Sequence, residues 1–219
     1  MPKERPIIFG APMIRAILRG EKTQTRRIIK VPGIPNEQII KMVQFRDRDG
    51  KPTGEWGVCT HDRVISKHIR CPYGAPGDRL WVREALLVTS MGFDYAADGA
   101  ECLDLADANE DQIDLWDRRC HEEGPDLHPT KIPSIHMPRW ASRILLEVTD
   151  VRVERLQDIS EADARAEGAP WAPSVITGNH PKPIVSFERL WESIHGPDSW
   201  AENPWLWVIE FRRIEAPNA

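Results

Sequence analysis

Trp205-Leu206-Trp207-Val208-Ile209-Glu210-Phe211 is the most strand-like run of this 219-residue chain. Trp, Val, Ile and Phe favour a pleated backbone. The run begins apolar on both faces, which places it inside a sheet rather than at its edge. Moving outward from it, Ser186 to His195 reads as a helix. Phe187, Leu190, Trp191 and Ile194 recur at i, i+3, i+4 and i+7, and Gly196 ends the helix. Upstream, Ser160-Glu161-Ala162-Asp163 has the form of a capping box with Asp in its last place. The helix it opens should end at Glu167, because Gly168 is a good cap and Pro170 forbids continuation. Ile144 to Val148 and Val151 to Val153 fit two strands, or one long bent strand.

At the other end of the chain, Pro6-Ile7-Ile8-Phe9 reads as a first strand and Ala11 to Arg19 as a helix capped by Gly20. The segment Lys22 to Arg27 leaves that cap, with Ile28-Ile29 leading into a strand. Pro76-Gly77-Asp78 is a turn, and Leu80-Trp81-Val82 is a strand behind it. Residues 31–70 are rich in Pro, Gly and charge, with a small hairpin near Glu55 to Cys59. Residues 85–133 are the least regular stretch and read as an insertion or lid with a short helix near 109–120. Strands interrupted by a few short helices make this an α+β chain, one domain over 1–219, with a sheet curled toward a barrel.

Composition sets limits on function. Hydrophobic residues make up 41% and charged residues 29%, enough apolar side chain for a packed core. A net charge of −5 argues against a protein that coats DNA nonspecifically, so any nucleic-acid contact is local. Met1 to Pro6 is too polar for a signal peptide, and no apolar run is long enough to span a bilayer. The expectation is a soluble cytoplasmic protein without disulfides among its four cysteines. Most of the nine tryptophans are expected in the core.

The densest polar chemistry lies in Gly20-Glu21-Lys22-Thr23-Gln24-Thr25-Arg26-Arg27. A threonine hydroxyl is a poor nucleophile until a base takes its proton. Lys22 can be that base if burial or the neighbouring Arg26 and Arg27 lower its pKa. The alternative is a basic turn whose Lys and Arg are solvated. Glu167 should sit at the negative end of a helix dipole, which favours its protonated form and suits general-acid work. A solvent-exposed helix end is the alternative. Cys59, His61, His68 and Cys71 could form a zinc quartet, but their spacing does not match the paired finger pattern, and unligated cysteines are the favoured reading. Arg79, Arg83, Arg139 and Arg143 flank strand starts, where they could hold a phosphate or carboxylate or simply be solvated. Trp81 and Trp140 could stack a base, with core packing the commoner role.

Taken in order, these motifs resemble a known family. Gly20, Lys22, Thr23, Thr25 and Arg26 form Gly-x-Lys-Thr-x-Thr-Arg. They are followed by the Pro76–Val82 turn and strand, Glu147-Val148-Thr149-Asp150-Val151, Leu156-Gln157-Asp158-Ile159-Ser160, the Glu167-Gly168 helix end, and Val208-Ile209-Glu210-Phe211. The order resembles the ASCH domain of the PUA-like superfamily over residues 5–30, 71–84 and 136–213, leaving 31–70 and 85–133 as two irregular insertions. Cys71-Pro72-Tyr73-Gly74 and His136 to Arg143 look like the long form carried by bacteriophages and prophages. The resemblance implies a small β-barrel with flanking short helices, a cleft beside the first helix, and binding of RNA or a modified nucleoside. It is similar to bacterial N(4)-acetylcytidine amidohydrolases, which need no cofactor and no metal. Their Lys, Thr and Glu carry over to Lys22, Thr25 and Glu167, with Thr23, Arg26, Arg79 and Arg139 as expected ligand contacts. Those enzymes are much shorter, so the insertions bear on the substrate. Two other activities fit the same family: a non-catalytic module that binds RNA or a modified base, and a ribonuclease.

Overall fold

The computed structural model describes residues 2–61, 63–122, 130–169 and 182–215. Strand β1 (Glu4–Ile8) leads into α1 (Ala11–Leu18), and β2 (Gln24–Ile28) follows directly. Next come β3 (Ile39–Arg46), β4 (Pro52–Thr60) and β5 (Arg63–Arg70). After β6 (Arg79–Arg83) the chain forms β7 (Leu86–Thr89), β8 (Gly92–Tyr95), β9 (Glu101–Asp104), α2 (Glu110–Glu122) and β10 (Thr130–Ile132). The last third holds β11 (Leu145–Arg155), α3 (Glu161–Ala166), α4 (Pro183–His195) and β12 (Trp205–Ile214).

The chain is mixed α+β, with three sheets and few helices. The main sheet has the order β1-β6-β11-β12-β2. Only β1 and β6 run parallel. Strand β12 lies inside the sheet, between β11 and β2, as its doubly apolar start required. Val208, Ile209 and Leu206 are fully buried. Strand β11 is the single bent strand, with a bulge between Val148 and Asp150 that keeps its pairing with β12 on both sides of the bend. The Pro76-Gly77-Asp78 turn stitches the sheet together. The Asp78 carboxylate accepts from the Lys3 and Ala75 amides and from Arg5, while the Gly77 amide donates to Val148.

Both stretches expected to be irregular carry regular structure. Within 31–70, β3, β4 and β5 form an antiparallel sheet. Its Ile39, Trp56 and Val58 enter the main core, where Trp56 meets Trp207 edge-on at 6.0 Å. Within 85–133, β10-β7-β8-β9 form a second small sheet. It buries Leu86, Val88, Phe93, Tyr95 and Ile132 against Met137 and Ala141, with Leu115 and Trp116 of α2 packed on them. The helix expected near 109–120 is α2. Strands β7 to β10 have only three or four residues each and are held by turns and by one buried face. Trp56, Trp191 and Trp207 are buried, whereas Trp140 is 40% exposed. The expectation of a mostly buried set is therefore too broad, and Trp171 lies outside the described residues, as does Pro170.

Helix α3 is capped as the sequence required: the Ser160 hydroxyl accepts from the Asp163 amide, and Glu167 is the C-cap. Gly168 then takes φ +68°, and a Cβ there would lie 2.8 Å from Lys22 Cβ and 2.9 Å from Ala16 Cβ. Gly168→Ala is expected to cost about 2–4 kcal/mol, combining left-handed strain with overpacking. Gly20→Ala, at φ +74° with open space around it, should cost only about 1 kcal/mol. Urea unfolding of the two variants checks the difference.

Candidate functional site

The segment Lys22 to Arg27 is not a lead-in to a strand; most of it is the edge strand β2 itself. Helix α1 ends as Gly20 turns left-handed, and the amides of Gly20, Glu21 and Lys22 fold back onto the carbonyls of Ile17 and Ala16. That turn sets Lys22 in an isolated antiparallel bridge with Glu167, at the end of α3. The Lys22 ammonium donates to Glu167 Oε2 at 2.8 Å and to the Glu167 carbonyl at 2.7 Å. Both side chains are almost wholly removed from solvent.

Arg26 takes the other carboxylate oxygen, Nη1 to Oε1 at 3.1 Å. Its Nη2 reaches Glu154 at 2.9 Å and lies 3.6 Å from Asp163. Arg152 joins the same carboxylates, bonding Glu154, Asp163 and Glu210. Burial pushes the Lys22 pKa below the ordinary lysine range; the Glu167 charge opposes this, while Arg27 and Arg26 add to it. The Glu167 carboxylate thus has two cations as partners, Lys22 and Arg26.

Above this network lies a cavity of about 430 Å³. Thr25, Arg26 and Arg27 of β2 and Glu167 supply its polar wall. The start of α1 supplies Pro12 and Met13, and α4 supplies Phe187, Leu190, Trp191, Ile194 and His195. Lys22 does not line the cavity and reaches it through Glu167. Trp191 and His195 stack with ring centroids 4.1 Å apart. Burial and the Arg27 charge both push the His195 pKa down, which favours a neutral imidazole.

The structure brings Lys22, Thr25, Arg26 and Glu167 to one place, and separates the rest. The Thr23 side chain is exposed; its backbone is what matters, pairing with Ala166 and Phe211. Arg26 is already held by Glu167 and Glu154, so its part is to position them. Arg79 and Arg139 meet at Glu4, 3.9 and 3.1 Å away, and neither lines the cavity. Arg143 does hold carboxylates bidentately, but they belong to Glu84 and Asp98 of its own chain. The Cys59, His61, His68, Cys71 quartet does not assemble. Cys59 and Cys71 are buried, His68 is exposed and stacks on Phe45, and no group of three or more potential metal ligands converges among the described residues. The sequence reading missed the α4 side of the cavity. Its apolar stripe looked like core, although Ile194 remains 53% exposed. The signal available was His195 at the end of that stripe.

Comparison of the chain with protein-family models, with curated proteins and with solved structures gave no match.

Glu167→Gln should destabilise the fold by about 3–5 kcal/mol, because it leaves the buried Lys22 and Arg26 short of a counter-charge. The Lys22 shift has its own signature. Its pKa is lower in the folded chain than in the unfolded one, so the unfolded state binds more protons between those two values and stability rises with pH across that alkaline interval. Urea unfolding from neutral pH to about pH 10 should show this rise in the wild type, and Lys22→Met should abolish it.

Proposed function

We propose that this chain is an ASCH-type hydrolase of the PUA-like superfamily. It acts on an N-acylated pyrimidine nucleoside or nucleotide, with the amide of N(4)-acetylcytidine as the model bond. One observation carries the reading: Lys22 and Glu167, 145 positions apart, meet at 2.8 Å beside a cavity wall that Thr25 and Glu167 share. The barrel belongs to the same proposal. Its support is that Arg27 Nη2 donates to the Ile8 carbonyl at 2.7 Å, tying the two edge strands β2 and β1 to each other.

The reactive form has Lys22 as amine and Glu167 as carboxylic acid. Thr25 Oγ1 attacks the amide carbonyl carbon while Lys22 takes the hydroxyl proton. As the tetrahedral intermediate collapses, Glu167 gives its proton to the departing exocyclic amine, leaving an acyl-threonine ester. Water then attacks the ester and Glu167 takes its proton. Thr25 Oγ1 leaves and recovers a proton from Lys22, which restores the neutral pair and releases the carboxylic acid. Lys22 must therefore be easy to deprotonate, and its burial works in that direction.

A second reading keeps the cavity and removes the chemistry. Both hydrogen bonds of the Lys22 ammonium end on Glu167 and neither on Thr25. That arrangement also suits a rigid pocket that binds a modified base or RNA without reacting. Turnover separates the two. Wild-type protein should release acetate and cytidine from N(4)-acetylcytidine, and Thr25→Ala should lower kcat/KM by about a thousandfold or more. Thr25→Ser should retain a measurable rate. Equal rates for wild type and Thr25→Ala would remove Thr25 from the reaction. Binding without product in the wild type would leave the binding module.

A further inference from the structure

Several side-chain donors on residues around the cavity have no partner in the protein. Among the described residues the buried side-chain nitrogens without a partner are Gln24 Nε2, Arg26 Nε, Arg27 Nε, Arg83 Nε and Trp191 Nε1. Those of Arg26, Arg27 and Trp191 belong to residues that line this one cavity. Trp191 is only 3% exposed, so water does not replace the missing acceptor at its surface. A buried donor left unpaired is costly, and such groups are normally satisfied. All three are N–H donors, so the missing partner is an acceptor.

Arg27 narrows the class further. Lys22 and Arg26 share Glu167, and Arg26 adds Glu154. Arg27, on the neighbouring strand position, bonds only the Ile8 carbonyl and rests against the Phe9 and Tyr73 rings, 5.2 and 6.0 Å from their centroids. Among the described residues no carboxylate reaches ion-pair distance of it. Arg27 is a half-buried guanidinium without a counter-ion, and its planar fork matches an oxyanion. Across the cavity, Phe187, Trp191 and His195 supply an aromatic lining.

We propose that the cavity takes a small ligand with one oxyanionic group seated on Arg27, its flat ring lying against α4 near Trp191: a mononucleotide rather than a free nucleoside. A volume of about 430 Å³ suits one nucleotide and not a polymer segment. The pyrimidine base rests on the amidohydrolase reading above; the anion subsite rests on Arg27 and the unpaired donors alone.

The test is calorimetric binding at low ionic strength of cytidine, cytidine 5′-monophosphate, inorganic phosphate and a short oligoribonucleotide. The proteins are the wild type, Arg27→Gln and Trp191→Phe, the last removing one donor while keeping an aromatic ring. The monophosphate should bind wild type roughly 10- to 100-fold more tightly than cytidine. Arg27→Gln should reduce that advantage to about twofold or less, and Trp191→Phe should weaken the monophosphate by several fold. Inorganic phosphate should compete with the monophosphate on wild type only. If Arg27→Gln does not fold, the cytidine-to-monophosphate ratio on wild type and the Trp191→Phe effect still decide. Equal binding of cytidine and its monophosphate overturns the anion subsite. So does an advantage that survives Arg27→Gln, or an oligoribonucleotide preferred over the monophosphate. Phosphate binding that needs Arg27, with no pyrimidine binding at all, upholds the subsite and instead sinks the choice of base made for the hydrolase.

Discussion

The contact between the Lys22 ammonium and the Glu167 carboxylate is the constraint around which the rest of the molecule is arranged. Two charges removed from water are stable only when each is fully paired and hydrogen-bonded. Here Lys22 has both a carboxylate and a carbonyl of the same residue as acceptors, and Arg26 occupies the second carboxylate oxygen. Meeting that requirement fixes the end of α1, the end of α3 and the start of β2 relative to one another. Gly20 and Gly168 are the turns that make the approach possible, and at Gly168 there is no room for a side chain.

The remaining parts of the fold serve this arrangement in different ways. Strand β12 holds β2 on one side and β11 on the other, so the strand carrying Thr25 to Arg27 is anchored to the most buried strand of the sheet. The carboxylates of Glu154 and Asp163 hold Arg26, and Arg152 ties both of them to Glu210. Thr25, Arg27 and Glu167 line the cavity on this side, and Arg27 has no carboxylate partner among the described residues. The site is thus a rigid polar wall opposite the apolar and aromatic wall of α4. The two inserted sheets do not contribute residues to it; one extends the main core through Trp56 and the other builds a core of its own.

Much of this was legible in single stretches. The β12 pattern, the Ser160 cap, the Gly168 stop and the α4 stripe all depend on neighbours within one or two turns, and each formed as its residues required. Arg79, Arg139 and Thr23 lie outside the cavity lining, which the sequence could not show: a basic or hydroxyl side chain beside a strand start looks the same whether it meets a ligand or Glu4. Beyond the hairpin near Glu55 to Cys59, the strands inside 31–70 and 85–133 were missed because their apolar residues do not alternate cleanly, as in Ile39-Ile40 and Leu86-Leu87-Val88. Only a sheet face buried against Trp207, or against Met137, reveals which positions count.

The sequence by itself determined the α+β class, the interior place of Trp205–Phe211, the helix that ends at Glu167, and the concentration of reactive groups in Lys22 to Arg27. These follow from backbone propensity, capping and periodicity, which act over short separations along the chain. Tertiary structure alone decided that Lys22 pairs with Glu167, that Arg26 is consumed by that pairing, that Arg27 is left without a carboxylate, and that α4 closes the cavity over Thr25. Those outcomes depend on which charges share a buried volume, and the cost of leaving a charge unpaired there is set by distance in space rather than by position in the chain.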